Sequence, residues 1–414
     1  MFRAISLIVL FGACHHAFAD PPQVEIRQIT FGPKHHFFGY IGQCKTVPWN
    51  ASGRYILALQ TDFQDRMPGP SDAAEIVLLD VQHDYNPIVI EHTRGWNPQQ
   101  GTMFYWDPLA PETRFFFNDR DPVTGKVFAV HYDIGGGPPG KRVREFRFDD
   151  TPVGNSGVAQ NGGKFLAINY ARMARLRPVT GYPETYDWTV DEKHPENDGI
   201  FKVDVASGRK DLLVSFKQLR DALVSKHPNV DDKALFINHT LWSRNDDLIY
   251  FYVRGDFDKK DRINQPYTIR PDGTGLAPLS VFIGGHPEWA PGHQVIGCAD
   301  KKQVVYDVDE RKIVRTLGDR TIFPNAEGDI ALSPDGQWLA NGYREGTRSA
   351  YVFYRMDGTE VHNVTAFEQT GYTSGDLRVD PSPCWNRDGT QILFPSLTND
   401  ADHSRQLFIA TLKR

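Results

Sequence analysis

The chain is predicted to fold as an all-β, seven-bladed β-propeller. Three observations carry that expectation: strand-type runs throughout, one motif repeated along the chain, and complementary strands near its two ends. Short runs rich in Val, Ile, Tyr and Phe sit between Gly, Asp and Pro turns, the pattern of an all-β protein. The repeated motif is an aromatic residue or Leu, with Val in one copy, a short turn containing Gly or Asp, and an apolar strand. It occurs at Trp49 (NASGRYILAL), Trp106 (DPLAPETRFFF), Val158 (AQNGGKFLAI), Trp242 (SRNDDLIYFY), Trp289 (APGHQVIG), Leu332 (SPDGQWLA) and Trp385 (NRDGTQILF). The copies recur at roughly 45 to 55 residues, the length of a four-stranded blade.

The gap between the third and fourth copies is longer and holds residues Tyr182 to Val230. Within it, SFKQLRDALVSK places Phe216, Leu219, Leu223 and Val224 at helical spacing, so a helical insertion is expected there rather than a second domain. The ring is expected to close by pairing VEIRQIT (Val24 to Thr30) with QLFIATL (Gln406 to Leu412), which protects the edges of the end blades.

Composition narrows the function. A net charge of −6 over 414 residues argues against a nucleic-acid binder. It still permits an anionic substrate, because a local group of Arg and His can make one basic cleft. The opening MFRAISLIVLFGACHHAFAD has the layout of a secretory leader cleaved after Ala19, leaving residues 20–414 as a single propeller domain, secreted or periplasmic. The rival reading is lipid anchoring at Cys14 in a loose lipobox. No later run is long and apolar enough to span a membrane. Cys44, Cys298 and Cys384 cannot all pair internally, so no disulfide framework is expected. The protein is expected to act as a monomer.

The innermost strands of a propeller line its central channel, so equivalent positions of successive repeats face one another. Three residues before the repeat marker stand His239 (NHTLW), His286 (GHPEW) and Asp329 (GDIAL). The seventh copy has Ser382 there, with Asp380 two before it, and Glu327 lies two before Asp329. Imidazoles and carboxylates that meet in a cleft suit a divalent metal or acid and base chemistry. A lone His in an apolar strand more often just bonds its neighbour; three at a matched position favour function.

Other repeats offer substrate-binding groups. WNPQQG supplies the amides Gln99 and Gln100, and FFFNDRD supplies Asn118, Asp119 and Arg120. NYARMARLRPVTGYP supplies Arg172, Arg175 and Arg177 with Tyr170 and Tyr182, spaced so that not all the arginines can face one way. Guanidinium binds carboxylate or sulfate in bidentate fashion, while aromatic rings cover the apolar face of a sugar. PKHHFFGY brings His35, His36 and Tyr40 to the first blade, His36 being the stronger candidate. The GGGPPG run lacks the context of a phosphate loop, and no G-x-S-x-G elbow is present.

Taken in order, PKHHFFGYIG, NPQQGTMFYW, FFFNDRDP, ARLRPVTGYP, FINHTLW, GGHPEW and SPDGQW resemble the secreted β-propeller polysaccharide lyases. The nearer likeness is to the ulvan lyases and the more distant to the oligogalacturonate lyases; the PDG turns are shared with TolB-like propellers. The resemblance implies β-elimination at a uronate, with His239 at the catalytic His position and His286 at the first metal-ligand position. It implies a divalent metal, zinc, calcium or manganese, but Glu327 and Asp329 replace the later His pair of the oligogalacturonate lyases. Under that reading Arg172 neutralises the substrate carboxylate, and His239 with Tyr182 or Tyr170 moves the protons. Asn118, Gln100 and the other polar groups hold an anionic polysaccharide. The alternatives are an oligogalacturonate lyase acting on short pectic fragments and a non-catalytic TolB-like propeller that binds glycan or protein.

Overall fold

A computed structural model describes residues 24–38, 46–398 and 403–413. The leader with Cys14, and also Tyr40 and Cys44, lie outside the described residues. Within them the chain is a β-propeller of antiparallel meanders with two short α-helices. Cys298 and Cys384 are both buried thiols. No helix among the described residues is long and apolar enough to cross a membrane.

The expected seven-bladed arrangement is corrected by the sheet topology. Five sheets are separate four-stranded blades, and the other eight strands form one continuous sheet with Lys312–Leu317 at one edge and Val361–Glu368 at the other. The join is a parallel pairing of His286 with Asp329 between the strands Gly284–Trp289 and Asp329–Leu332. Gly285 makes the approach possible. Its φ is +73°, and a Cβ there would stand 3.3 Å from the Glu327 backbone. Both facts favour the one residue without a side chain.

One of the five blades unites the chain ends. Val24–Gln28 pairs antiparallel with Arg405–Leu412, from Val24 opposite Leu412 to Gln28 opposite Phe408. This edge strand supplies the outermost ladder of the sheet that also contains Gln391–Leu397 and Cys384–Trp385.

The repeat marker has a physical role between blades. The indole of Trp106 donates to Pro48 O at 2.8 Å, Trp242 to Gly157 O at 3.0 Å, Trp289 to Leu241 O at 3.0 Å and Trp385 to Ala331 O at 2.8 Å. Each acceptor is the residue just before the preceding marker or its equivalent. A large apolar ring thereby fills the gap between sheets while its one polar atom satisfies a buried carbonyl.

Both helices precede the strand Leu235–Trp242. Phe216–Leu223 begins with a capping box: Ser215 Oγ accepts from the Gln218 N–H, and Gln218 Oε1 accepts from the Ser215 N–H at 2.9 Å. It buries Phe216, Leu219 and Leu223. Tyr170–Leu176 is capped by Asn169, whose side chain accepts from the Arg172 N–H at 2.9 Å. Pro178 ends that helix by disfavouring α geometry in the residue before it. Arg177 is accordingly extended, with φ −157° and ψ 87°.

Candidate functional site

The site is built on the inner strand Leu235–Trp242, LFINHTLW, which is buried along its whole length. Its register against Ile249–Gly255 slips between Asn238 and Leu241, and His239 takes up the slack with φ +56°. A non-glycine residue pays about 1–2 kcal/mol for left-handed backbone. The bulge itself belongs to the repeat, because the equivalent residues Met103 and Ser382 also have positive φ, 57° and 31°. Placing an imidazole on it is particular to this strand.

His239 meets the other matched positions side by side. Its ring centroid is 5.1 Å from that of His286. The Nδ1 of His286 lies against Asp329 Oδ1. Asp329 Oδ2 in turn accepts from the Ser382 N–H at 2.9 Å and its hydroxyl at 3.2 Å. Burial would raise the Asp329 carboxyl, but His286 and the Ser382 N–H outweigh it and hold the group below its ordinary range. Burial, with the Asp329 charge behind it, raises the neighbouring Asp380. For His239, burial first and then the charges of His286, Arg254 and Arg177 keep the imidazole well below its ordinary value. It is neutral at pH 7 and so able to accept a proton.

A cleft of about 240 Å³ opens above these rings. Its walls carry four arginines, Arg177, Arg254, Arg262 and Arg378, with Gln99, Gln100, Asn238 and Asn264 between them. Arg177 lies over the Phe257 ring at 4.0 Å; Arg254 lies over both Phe257 and Tyr252, at 4.5 and 4.6 Å. These rings hold the guanidinium groups flat without neutralising them. Arg254 is further fixed by donating to Asn264 Oδ1 at 3.0 Å, and Arg378 by Asp380 at 2.9 Å. Burial and the positive charges of Arg254 and Arg378 push Arg177 down to about 9. A bound anion would relieve that mutual repulsion.

Several predicted site residues are elsewhere. Arg172 is buried and fully engaged: it donates to Leu235 O at 2.6 Å, Thr189 Oγ1 at 2.8 Å, Glu192 O at 2.9 Å and Lys193 O at 2.6 Å. It clamps the loop 189–193 to the first residue of the site strand and offers nothing to a ligand. The rings of Tyr170 and Tyr182 stack at 4.5 Å inside the core. The Tyr182 hydroxyl accepts from Asn118 Nδ2 at 2.9 Å, and the Tyr170 hydroxyl donates to Asn155 O at 2.9 Å. Burial pushes the Tyr182 hydroxyl far up, so it holds its proton.

The remaining misplaced candidates are also structural. Asn118 bonds the Asn155 backbone in both directions, at 2.9 and 2.7 Å. Arg120 donates to Pro183 O and Gly69 O, both at 2.8 Å. Arg175 pairs with Asp187 at 2.9 Å. His36 is held between Gln60 and Gln406 at 2.8 and 2.9 Å. Of the polar candidates, Gln99, Gln100 and Arg177 do line the cleft, and Glu327 stands exposed at its rim.

The expected metal ligands do not fit a metal centre. Among the described residues no three His, Cys, Asp or Glu side chains converge as one would require. His286 and Asp329 direct ligand atoms at each other, and Glu327 is on the rim.

Sequence reasoning missed Arg254, Arg262 and Arg378. Arg254 had a readable signal: it lies two residues after Tyr252 on a strand paired with the His239 strand, with Asn238 opposite Tyr252. Arg378 lies two before Asp380, which had been singled out. Arg262 comes from a loop whose path no periodicity reveals.

Fold and cleft together define an all-β propeller with a cationic, histidine-floored channel mouth. No protein-family model matches the chain, and no curated protein matches it. Among solved structures, the chain is similar to an oligogalacturonate lyase in complex with manganese, with 14% identity and a TM-score of 0.58 over 95% of this chain and 96% of that one. TolB from Acinetobacter baumannii matches with 12% identity and a TM-score of 0.41 over 94% of this chain and 97% of that one. At such identity the first of these likenesses establishes the propeller fold.

Proposed function

We propose that the protein is a polysaccharide lyase that cleaves a uronate-containing anionic polysaccharide by β-elimination. The observation that carries this reading is the neutral, buried His239 beneath a fan of arginines. In β-elimination the C5 proton of a uronate becomes removable only when the adjacent carboxylate is neutralised; Arg177, Arg254 and Arg378 do this electrostatically. His239 accepts the C5 proton, the electron pair forms the C4–C5 double bond, and the C4–O4 bond breaks. The leaving O4 takes a proton from His286, which Asp329 orients. Arg172, Tyr170 and Tyr182 leave the mechanism for the scaffold, and no step passes through a metal.

An ulvan-type chain is the first substrate class, since guanidinium groups accept sulfate as well as carboxylate. The fold likeness to an oligogalacturonate lyase supports short pectic fragments as the second. The leader predicted over residues 1–19 supports action outside the cytoplasm. Incubation with ulvan, pectate and their oligomers, following ultraviolet absorbance of the new double bond, tests the proposal. Turnover of any one supports lyase chemistry and names the class. Binding without turnover would replace it with a non-catalytic glycan-binding propeller.

A further inference from the structure

We infer that the substrate path runs past the His239 cleft into a second cavity formed by the turn at Lys301, the loop 320–327 and the end of the strand Trp338–Glu345, and that this cavity is a subsite for a further acidic sugar of the same chain. The inference rests on the lyase reading for its substrate class. The cavity is about 420 Å³; the cations Lys301, Arg320 and Arg344 line it together with Asn325, Tyr343 and two carboxylates, Glu327 and Glu345, which the three cations outnumber. Glu327 lines both cavities, so they adjoin at that residue.

Charge and shape agree with an acidic saccharide. Lys301 and Arg320 are exposed, and neither is within ion-pair distance of a carboxylate among the described residues. Arg344 is tied to the Thr373 and Val379 carbonyls and stands 3.9 Å from Asp380, the carboxyl that also holds Arg378 in the first cleft. One buried carboxyl therefore couples a guanidinium from each cavity. Tyr343 adds a half-buried ring of the kind that covers a pyranose face.

Beneath the cavity lies the second, independent observation. Gln303 and Asn341 are 1% and 0% exposed, and both polar atoms of each amide lack a partner. Gln303 shares its strand face with Val305, and Asn341 shares its face with Leu339 and Tyr343. Val305 and Leu339 belong to the apolar cluster between these strands, and Tyr343 packs against it. The two amides thus lie in the layer between that core and the cavity lining. An unsatisfied buried amide costs about 1–3 kcal/mol, so a purely structural position would favour an apolar residue. Here the amides, which lie behind the lining rather than in it, supply donors and acceptors that reach sugar hydroxyls through water. Glu327, between the two cationic cavities, accepts from hydroxyls of the sugar that crosses it.

The test compares the wild-type chain with Lys301→Ala/Arg320→Ala and with Gln303→Leu on acidic oligosaccharides of increasing length from pectate and ulvan. Turnover and affinity by calorimetry are both measured, and unchanged melting temperature of the double variant establishes its folding. The expected result is about a tenfold fall in the preference for long over short chains, in kcat/KM and in affinity, for the double variant. A smaller fall in the same direction is expected for Gln303→Leu. An unchanged length preference in a chain that still turns over substrate overturns the subsite and leaves the lyase reading standing. Lost length preference in binding, with no turnover by the wild type, supports the subsite and removes the lyase. No binding at any length overturns both.

Discussion

His239 and His286, from two consecutive inner strands, face each other at 5.1 Å, the first on a left-handed bulge and the second against Asp329. In the proposed mechanism these two neighbouring imidazoles, with their different partners, divide the labour of proton transfer. His239, pressed by burial and positive charge, lies well below its ordinary range, while His286 is held in place by Asp329.

Replacing His239 by Gly separates function from stability. The substitution removes the base, so turnover should fall about 10²–10⁴-fold. It also removes a Cβ from backbone at φ +56°, so stability should hold or rise by about 1 kcal/mol. Activity assays and thermal melts of the same preparation check both halves. A variant that melts well below the wild type would mean the ring packs structurally.

The pH profile of kcat/KM should reflect a base of depressed pKa. His239 works deprotonated, and its pKa lies well below the ordinary value. Activity should therefore persist as pH falls through about 6.5 and fail only at lower pH. An acid limb at or above that value would assign the base elsewhere.

Two arginines close in sequence should behave oppositely. Arg172→Ala strips the partners from several buried oxygens and should destabilise by about 2–4 kcal/mol, with little effect on the KM of the folded enzyme. Arg177→Ala removes a cation from the cleft and relieves repulsion by Arg254 and Arg378, so KM should rise about tenfold while the melting temperature holds. Steady-state kinetics beside denaturant titrations distinguish them.

Trp289→Phe tests the blade marker. It keeps most of the buried ring but leaves the Leu241 carbonyl without its 3.0 Å donor. A loss of about 1–3 kcal/mol is expected in equilibrium unfolding, without change in substrate affinity.

The propeller architecture was legible in the sequence because repeats write the same packing problem many times, and Trp106, Trp242, Trp289 and Trp385 mark the same solution each time. The separateness of the blades was not, because the join depends on two backbones meeting at His286 and Asp329, which only Gly285 hints at. Matched repeat positions did bring His239, His286 and Asp329 side by side, because the repeat fixes their directions. Arg172 and Tyr170 lie on the buried side of a short, unanticipated helix, and Tyr182 folds back onto Tyr170 after it; residue type alone does not say which of these faces solvent. Pro178 carried the distinction: it turns Arg177 out of the helix and toward the cleft, and leaves Arg172 inside.

The pairing of Val24–Gln28 with Arg405–Leu412 has a consequence for how the molecule is made. A ribosome releases the first partner almost a whole chain length before the second. Until Leu412 emerges, the early strand has no ladder to join, and its partner sheet cannot be completed. Ring closure therefore waits on the strand Arg405–Leu412, and loss of that strand would leave Val24–Gln28 without a ladder to join.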